Sequence, residues 1–359
     1  MKTVRKVLAL VMVMMLTMAM WGCGQKNETA SGNAEATKDA AADTKATDAA
    51  DDSAATTDAA ASDELIVIGF SQVGAESDWR VANTESMQST LSAENGFELI
   101  FSDAQQKQEN QIKAIRNFIS QDVDVIALAP VVETGWETVL GEAKDAGIPV
   151  IIVDRMIDVT DDSLYTCWVG SDFLQEGYDA VDWLVGYMDG LGRGNEDLNV
   201  AMLQGTIGAS AEIGRTKGVE EKLAEHKNYK LVLKQTGEFT QAKGQEVMES
   251  FLKSGEDIDI VIAQNDNMAF GAIDAIKAVG KVPGKDIIIV SFDAVHAAFE
   301  SMIAGDMNVS VECNPLHGPK VAEIAKSIMA GQEVTKMQYV EEDVFPADTA
   351  KDIIDTRAY

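Results

Sequence analysis

Histidine is scarce. The 359 residues contain three, His226, His296 and His317, none set beside a Cys or Ser as a nucleophile motif requires and none at metal-ligand spacing. No enzyme, no metal and no other cofactor is therefore expected. Basic residues are also short: 29 Lys+Arg against 59 Asp+Glu leave a net charge of -30. So acidic a surface repels polyphosphate, which excludes nucleic acid as a partner held through phosphate contacts. Gly205–Gly208 lacks the Gly-Lys-Ser/Thr that completes a phosphate loop. Gly190-Leu191-Gly192-Arg193-Gly194 reads as a solvated loop before a strand, not as a dinucleotide fingerprint. No uncharged apolar run reaches membrane length; the longest, Val7 to Trp21, falls short of the ~20 residues a span needs.

What stands at the N-terminus fits export. Lys2, Arg5 and Lys6 precede the apolar run, and Gly22-Cys23 closes it, the order of a secretory signal. The Met-Trp-Gly-Cys ending is similar to a bacterial lipobox, so Cys23 is expected to be acylated and to begin the mature chain, placing the protein outside the cytoplasm on a lipid anchor. Gly24 to Asp63 is rich in Ala, Thr, Asp and Ser, with no aromatic residue and no Val, Leu or Ile. It cannot bury enough apolar surface to offset its ordering entropy, so it reads as an acidic tether with a reach of roughly 35 Å.

From Glu64 onward, short apolar runs alternate with amphipathic stretches. Leu65–Phe70, Phe97–Phe101, Val123–Ala129 and Ile148–Val153 read as strands, and Gln108–Ile119 as a helix with Ile112, Ile115 and Ile119 on one face. The second half repeats the scheme with Val200–Leu203, Leu231–Leu233, Ile258–Ala263 and Ile287–Phe292, and with helices after Ser210, Gln241 and Asn267. Near-continuous apolar strands separated by helices imply parallel sheets covered on both faces, hence an α/β protein of two doubly wound lobes.

Open parallel sheets bind ligands beyond the C-terminal ends of their strands. Here those ends carry Asp78-Trp79-Arg80, Asp154-Arg155, Arg215 a turn after Gln204-Gly205-Thr206, Gln264-Asn265-Asp266, Asp293, and Glu312 with Asn314. One Asp or Asn in such a place is ordinarily a helix N-cap. Recurrence at six strand ends points instead to a ligand with many hydroxyls, which pair with carboxylates, amides and the fork of an Arg. Trp79 offers an apolar plane for the C–H face of a sugar ring.

These motifs resemble the ribose/galactose-type periplasmic binding proteins of ABC importers, and more narrowly their galactofuranose-binding branch. The resemblance runs through Gly69-Phe70-Ser71-Gln72-Val73-Gly74, Gln105 to Ala114, Ala129-Pro130-Val131-Val132, Gly135-Trp136-Glu137, Ser291-Phe292-Asp293 and Lys243 to Phe251, and covers essentially Glu64 to Tyr359. It implies Rossmann-like lobes joined by a three-segment hinge that bends closed on the ligand, with crossings near Gly170–Asp172, Glu312–Asn314 and Glu341–Asp343. The lobes it implies are 64–170 plus 313–341 and 171–312 plus 342–359, after a signal peptide, 1–23, and the tether, 24–63. It also implies sugar contacts from Trp79, Arg80, Asp154, Arg155, Arg215, Asn265, Asp293 and Glu312, a monosaccharide ligand, an importer permease as partner, and a monomer. Cys167 and Cys313, both near crossings, are expected as free, largely buried thiols.

Of three rival functions the sequence leaves one open. A receptor feeding a chemoreceptor or sensor kinase would use the same site. A transcription regulator of this fold would need a helix-turn-helix and a basic face where this chain has an export signal. Asp266 and Asp293 as a glycosidase acid/base pair are better explained as hydroxyl acceptors.

Overall fold

The computed structural model describes residues 65–359. The signal segment, Cys23 and the tether lie outside the described residues.

The first half lays down β1 (Ile66–Gln72), α1 (Asp78–Thr90), β2 (Phe97–Asp103), α2 (Gln108–Ser120), β3 (Val125–Leu128), α3 (Glu137–Asp145), β4 (Val150–Val153) and β5 (Cys167–Gly170). The second follows with α4 (Phe173–Gly190), β6 (Leu198–Gln204), α5 (Ser210–Ala224), β7 (Tyr229–Thr236), α6 (Gln241–Lys253), β8 (Ile260–Ala263), α7 (Asp266–Ala278), β9 (Ile288–Asp293), α8 (His296–Ala304) and β10 (Val309–Glu312). The chain then returns through α9 (Gly318–Met329), β11 (Met337–Tyr339), β12 (Val344–Pro346) and α10 (Ala350–Ile353).

Two six-stranded sheets result, ordered β11-β5-β4-β3-β1-β2 and β12-β10-β9-β8-β6-β7. Each is the interior of a doubly wound α/β lobe, as the alternation of apolar runs and helices requires. The central strands β3, β4 and β8 are buried at every residue, which only a sheet covered on both faces demands. Separate apolar clusters fill the two faces of each sheet. The edge strands β2 and β7 are mostly half-buried or exposed. That is why β7 extends well past the apolar stretch Leu231–Leu233: Lys230, Lys234 and Gln235 are edge positions, not strand breakers.

The sheets depart from the sequence reading in three strands. β5 is a short, wholly buried tetrapeptide; β11 is a three-residue edge; β12 pairs antiparallel with β10, so the second sheet is not wholly parallel. In α2 the inward face is Gln111, Ala114, Ile115 and Phe118, while Ile112 and Ile119 flank it half-buried. The Phe118 ring lies over Gly69, where a Cβ would fall 2.4 Å from Phe118 Cγ. The chain passes between the sheets three times: from β5 to α4, from β10 to α9, and from β11 to β12. Cys167 and Cys313 are both free and buried. Among the described residues, no helix is long and apolar enough to cross a membrane.

Helices α4 and α5 meet backbone to backbone at Gly177 and Gly218. A Cβ on Gly218 would lie 2.4 Å from the Leu174 carbonyl oxygen, which backbone cannot yield cheaply. Gly186, farther along α4, is exposed and has nothing within 4 Å of its Cβ position. Urea unfolding should therefore separate the two glycines: Gly218→Ala should destabilise by about 1–3 kcal/mol, and Gly186→Ala should stabilise by about 0.5–1 kcal/mol. Equal effects at both positions would contradict the close helix crossing.

Candidate functional site

The C-terminal ends of the two sheets face one another, and their lips touch. Glu133 N donates to Gly208 O at 2.9 Å, Met156 N to Ser210 Oγ at 2.8 Å and Asp78 N to Asn267 Oδ1 at 3.0 Å. Behind these contacts lies a cavity lined from the first sheet by Glu76, Trp79, Arg80, Asp154 and Arg155, and from the second by Arg215, Phe239, Asn265 and Asp293. Its residual volume is about 20 Å³, room for about one water, because the lining side chains have closed onto one another.

Each lining residue has a local reason to be there. Ser77 caps α1 by accepting from Arg80 N at 3.2 Å, which sets Trp79 and Arg80 in the first helical turn at the strand end. Asn265 caps α7 through Met268 N at 3.0 Å, and its amide also donates to Phe239 O at 3.1 Å. The ordinary capping role and a place in the cavity are therefore both true of Asn265. Asp154, Phe239 and Asp293 have φ of 63°, 60° and 105°. Non-glycine residues reach that region at a cost of order 1–3 kcal/mol each, and such strain gathers at ligand sites. Phe239 fits because Gly205 has no side chain; a Cβ there would fall 1.9 Å from the ring.

Three guanidinium groups dominate the electrostatics. Arg80 Nη2 lies 2.7 Å from Asp154 Oδ2, its Nε donates to Glu76 Oε1 at 3.0 Å, and its plane lies over Trp79. Arg155 donates to Val131 O at 3.1 Å and to Glu76 Oε1 at 3.4 Å, and sits over the Phe239 ring. Burial and the neighbouring Arg80 depress the Arg155 guanidinium to about 10, against the pull of Glu76 and Asp154. Arg215 donates to Glu176 Oε2 at 2.5 Å and to Gln264 O at 2.6 Å, with Phe173 and Phe292 as its walls. Burial raises the Asp293 carboxyl well above the ordinary range; Arg215, at 3.6 Å, opposes the rise while Asp266 and Glu176 add to it. Three Arg face three carboxylates (Glu76, Asp154, Asp293), so the lining is balanced in charge. Glu76 Oε2 and Arg215 Nη2 are buried without a hydrogen-bond partner. Buried polar atoms are rarely left so, and both belong to residues of the cavity wall.

Of the eight residues expected from sequence, seven line this cavity and Glu312 does not. Its Oε1 accepts from Arg357 Nη2 at 2.7 Å and Tyr359 Oη at 2.6 Å, and its Oε2 from Asp343 N at 3.1 Å. These partners turn the carboxylate toward the C-terminal tail. Asp266 also lies off the cavity, held by Val295 N at 3.0 Å and Ser310 Oγ at 2.8 Å. Glu76 and Phe239 were missed. Glu76 stands in the loop between β1 and α1 and carried no signal beyond its charge. Phe239 follows a strand whose polar end disguised its length.

Residues 68–333 match the periplasmic binding protein domain family. The chain is 46% identical over 296 residues to the galactofuranose-binding protein YtfQ of Escherichia coli (strain K12), covering 81% of this chain and 91% of that protein. The periplasmic binding protein component of the arabinose ABC transporter from Shewanella sp. ANA-3, solved with α- and β-L-arabinofuranose, is 47% identical with a TM-score of 0.77, covering 81% and 95% of the two chains. A protein from Mycobacterium smegmatis in complex with β-D-fucofuranose is 46% identical with a TM-score of 0.78, covering 81% and 94%.

Behind Trp79 lies His317, edge-on to the indole at 5.9 Å and accepting at Nδ1 from Asn83 Nδ2 at 3.1 Å. Burial holds its imidazole neutral, down to about 4 from 6.5, with Asp154 opposing and Arg80 adding. The folded state therefore binds fewer protons than the unfolded chain between these values. Its contribution, about 3 kcal/mol, should be present above pH 6.5 and vanish as pH falls toward 4. Urea unfolding of the wild type and His317→Gln across pH 4–7 should show the steeper acid loss in the wild type; parallel curves would refute a neutral buried His317.

Proposed function

The chain belongs to the periplasmic binding protein domain family, a family of solute-binding proteins and not of enzymes, and from that premise we propose that it captures a neutral monosaccharide in furanose form between its two lobes. The observation that carries this reading is the charge-balanced lining of three guanidinium groups, three carboxylates and one amide. A charged ligand would upset that balance. A ring of hydroxyls, each both donor and acceptor, exchanges with the existing pairs one for one. The residues proposed to hold it are Trp79, Arg80, Asp154, Arg155, Arg215, Asn265 and Asp293, with Glu76 and Phe239 added. Glu312 is assigned to the hinge instead. The furanose preference rests on the named relatives, which bind galactofuranose, arabinofuranose or fucofuranose.

With about 20 Å³ left inside, a sugar enters only if the lobes part and the guanidinium groups swing from their carboxylates to its hydroxyls. Opening breaks the three lip hydrogen bonds; closing restores them around the ligand, the population shift of a hinge protein. The three passages of chain between the sheets are the proposed hinge, with lobes 64–170 plus 313–341 and 171–312 plus 342–359. Acylated Cys23 and the 24–63 tether would hold a monomer at the outer face of the membrane, where an ABC permease receives the sugar.

Calorimetric titration of the protein, unfolded and refolded to strip any carried ligand, is the test. Galactose and arabinose, which populate furanose forms, should bind, and methyl pyranosides, locked in six-membered rings, should not. Arg155→Ala and Asp293→Ala should each weaken binding at least about 100-fold, the loss of a charged buried hydrogen bond. Tight binding that survives both changes would move the site elsewhere, and preference for the locked pyranosides would remove the furanose reading.

A further inference from the structure

Beside the hinge segments a second groove of about 290 Å³ is lined by six carboxylates, Asp172, Glu176, Asp179, Glu312, Glu342 and Asp343, and Cys313, on the wall of the sugar cavity, lies next to two of them. Two of the six are neutralised within the protein, Glu176 by Arg215 and Glu312 by Arg357. Acidic clusters are common on so acidic a chain and mean little alone. Three features distinguish this one.

Glu176, Cys313 and Glu342 bring one donor atom each within 4.8 Å of one another. Glu176 is 3% exposed, and its Oε1 has no hydrogen-bond partner, while its Oε2 takes the Arg215 guanidinium. That leaves a buried, unpaired carboxylate oxygen on a wall of the groove, a costly arrangement unless something of opposite charge is received there. The supporting shell is already in place: Ser171 Oγ lies 3.3 Å from Cys313 Sγ and donates to Glu342 Oε1 at 2.5 Å, and Asn314 N donates to the same oxygen at 2.7 Å. Such contacts orient the ligands of a metal and leave Glu342 Oε2 free to bind.

We propose that Glu176, Cys313 and Glu342 form a binding site for a thiophilic divalent cation of the zinc class. One sulfur and two carboxylate oxygens suit zinc and its neighbours, whereas calcium and magnesium want oxygen alone. Bonds of about 2.0–2.3 Å in a tetrahedron set donors about 3.5 Å apart, so the three side chains need draw together only by about an ångström. Solvent in the open groove supplies the fourth position. On binding, the Cys313 thiol releases its proton to solvent as the sulfur–metal bond forms. Two carboxylates and a thiolate would carry three negative charges, two of which a divalent ion cancels. The spacing rules that spoke against a metal in the sequence do not apply, because the three donors come from distant parts of the chain.

The location decides the consequence. Glu176 is in the first turn of α4, just after the first passage between the sheets; Cys313 lies in the second passage and Glu342 in the third. The ion ties all three connecting segments to one point. A hinge so tied resists opening.

Cobalt(II) alone, titrated into the reduced full-length protein, is the probe. One equivalent should bind with a thiolate-to-cobalt charge-transfer band in the near ultraviolet, and zinc should displace it. Cys313→Ser should abolish the band, Glu342→Gln should weaken cobalt binding at least about tenfold, and Cys167→Ser and Cys23→Ser should retain it. Far-ultraviolet circular dichroism checks that the variants are folded. No stoichiometric binding by folded wild type, or a band that persists in Cys313→Ser, would overturn the site. The readout involves no sugar, so it stands or falls separately from the furanose reading.

Discussion

Three arginines buried where two sheets face each other set the terms for the rest of the molecule. A guanidinium removed from water costs several kcal/mol unless its charge and donors are met, and removing one partner of a buried pair costs about 3–5 kcal/mol. The fold meets this demand locally for each one: Glu76 and Asp154 for Arg80, Glu76 and the Val131 carbonyl for Arg155, Glu176 and the Gln264 carbonyl for Arg215. Aromatic rings complete the enclosure, with Trp79, Phe239, Phe173 and Phe292 under the guanidinium planes. The result is a polar interior that is satisfied almost, but not entirely, without a ligand.

The unfinished part is what suits this interior to the proposed ligand. Glu76 Oε2 and Arg215 Nη2 lack partners, and Asp154, Phe239 and Asp293 hold backbone conformations that their residue types disfavour. Strain and unpaired polar atoms in one place cost stability, and the surrounding buried strands supply it. Ligand hydroxyls would satisfy the orphan atoms and exchange with the internal ion pairs, which is why a neutral, hydroxyl-rich molecule suits this interior better than an ion.

Helix α1 joins the cavity to the hinge. Trp79 Nε1 donates to the Cys313 carbonyl at 2.6 Å, Asn83 Nδ2 to the Pro315 carbonyl at 2.9 Å, and Ser86 Oγ accepts from Gly318 N at 3.0 Å. These residues recur at helical spacing, so one face of α1 grips the second connecting segment along its length. Trp79 itself packs within an apolar cluster made almost wholly of second-sheet residues. A side chain in the cavity wall is thus fixed to the second connecting segment. On the other side, Glu312 ties that same segment to Arg357 and Tyr359.

Alternation of apolar runs and amphipathic stretches by itself determined the two-lobed α/β architecture, because strands buried on both faces and helices with one apolar stripe are properties of local sequence. The chemistry at the strand ends was legible for the same reason: Asp154, Arg155, Asn265 and Asp293 each follow a run whose end can be read. The short strands β5, β11 and β12 were not legible, since three or four residues carry too little pattern. Nor was the choice among strand-end residues. Glu312 and Asp266 have the same chemistry as Asp293, yet neither lines the cavity, because Arg357, Tyr359, Ser310 and the Val295 amide take their oxygens first. Phe239 enters the cavity only because Gly205, remote in sequence, leaves it room. Sequence thus determined which kinds of side chain stand at the sheet ends, a matter of local periodicity. Only the tertiary structure decided which of them meet, because each orientation is won in competition with partners that the folded chain brings from far away.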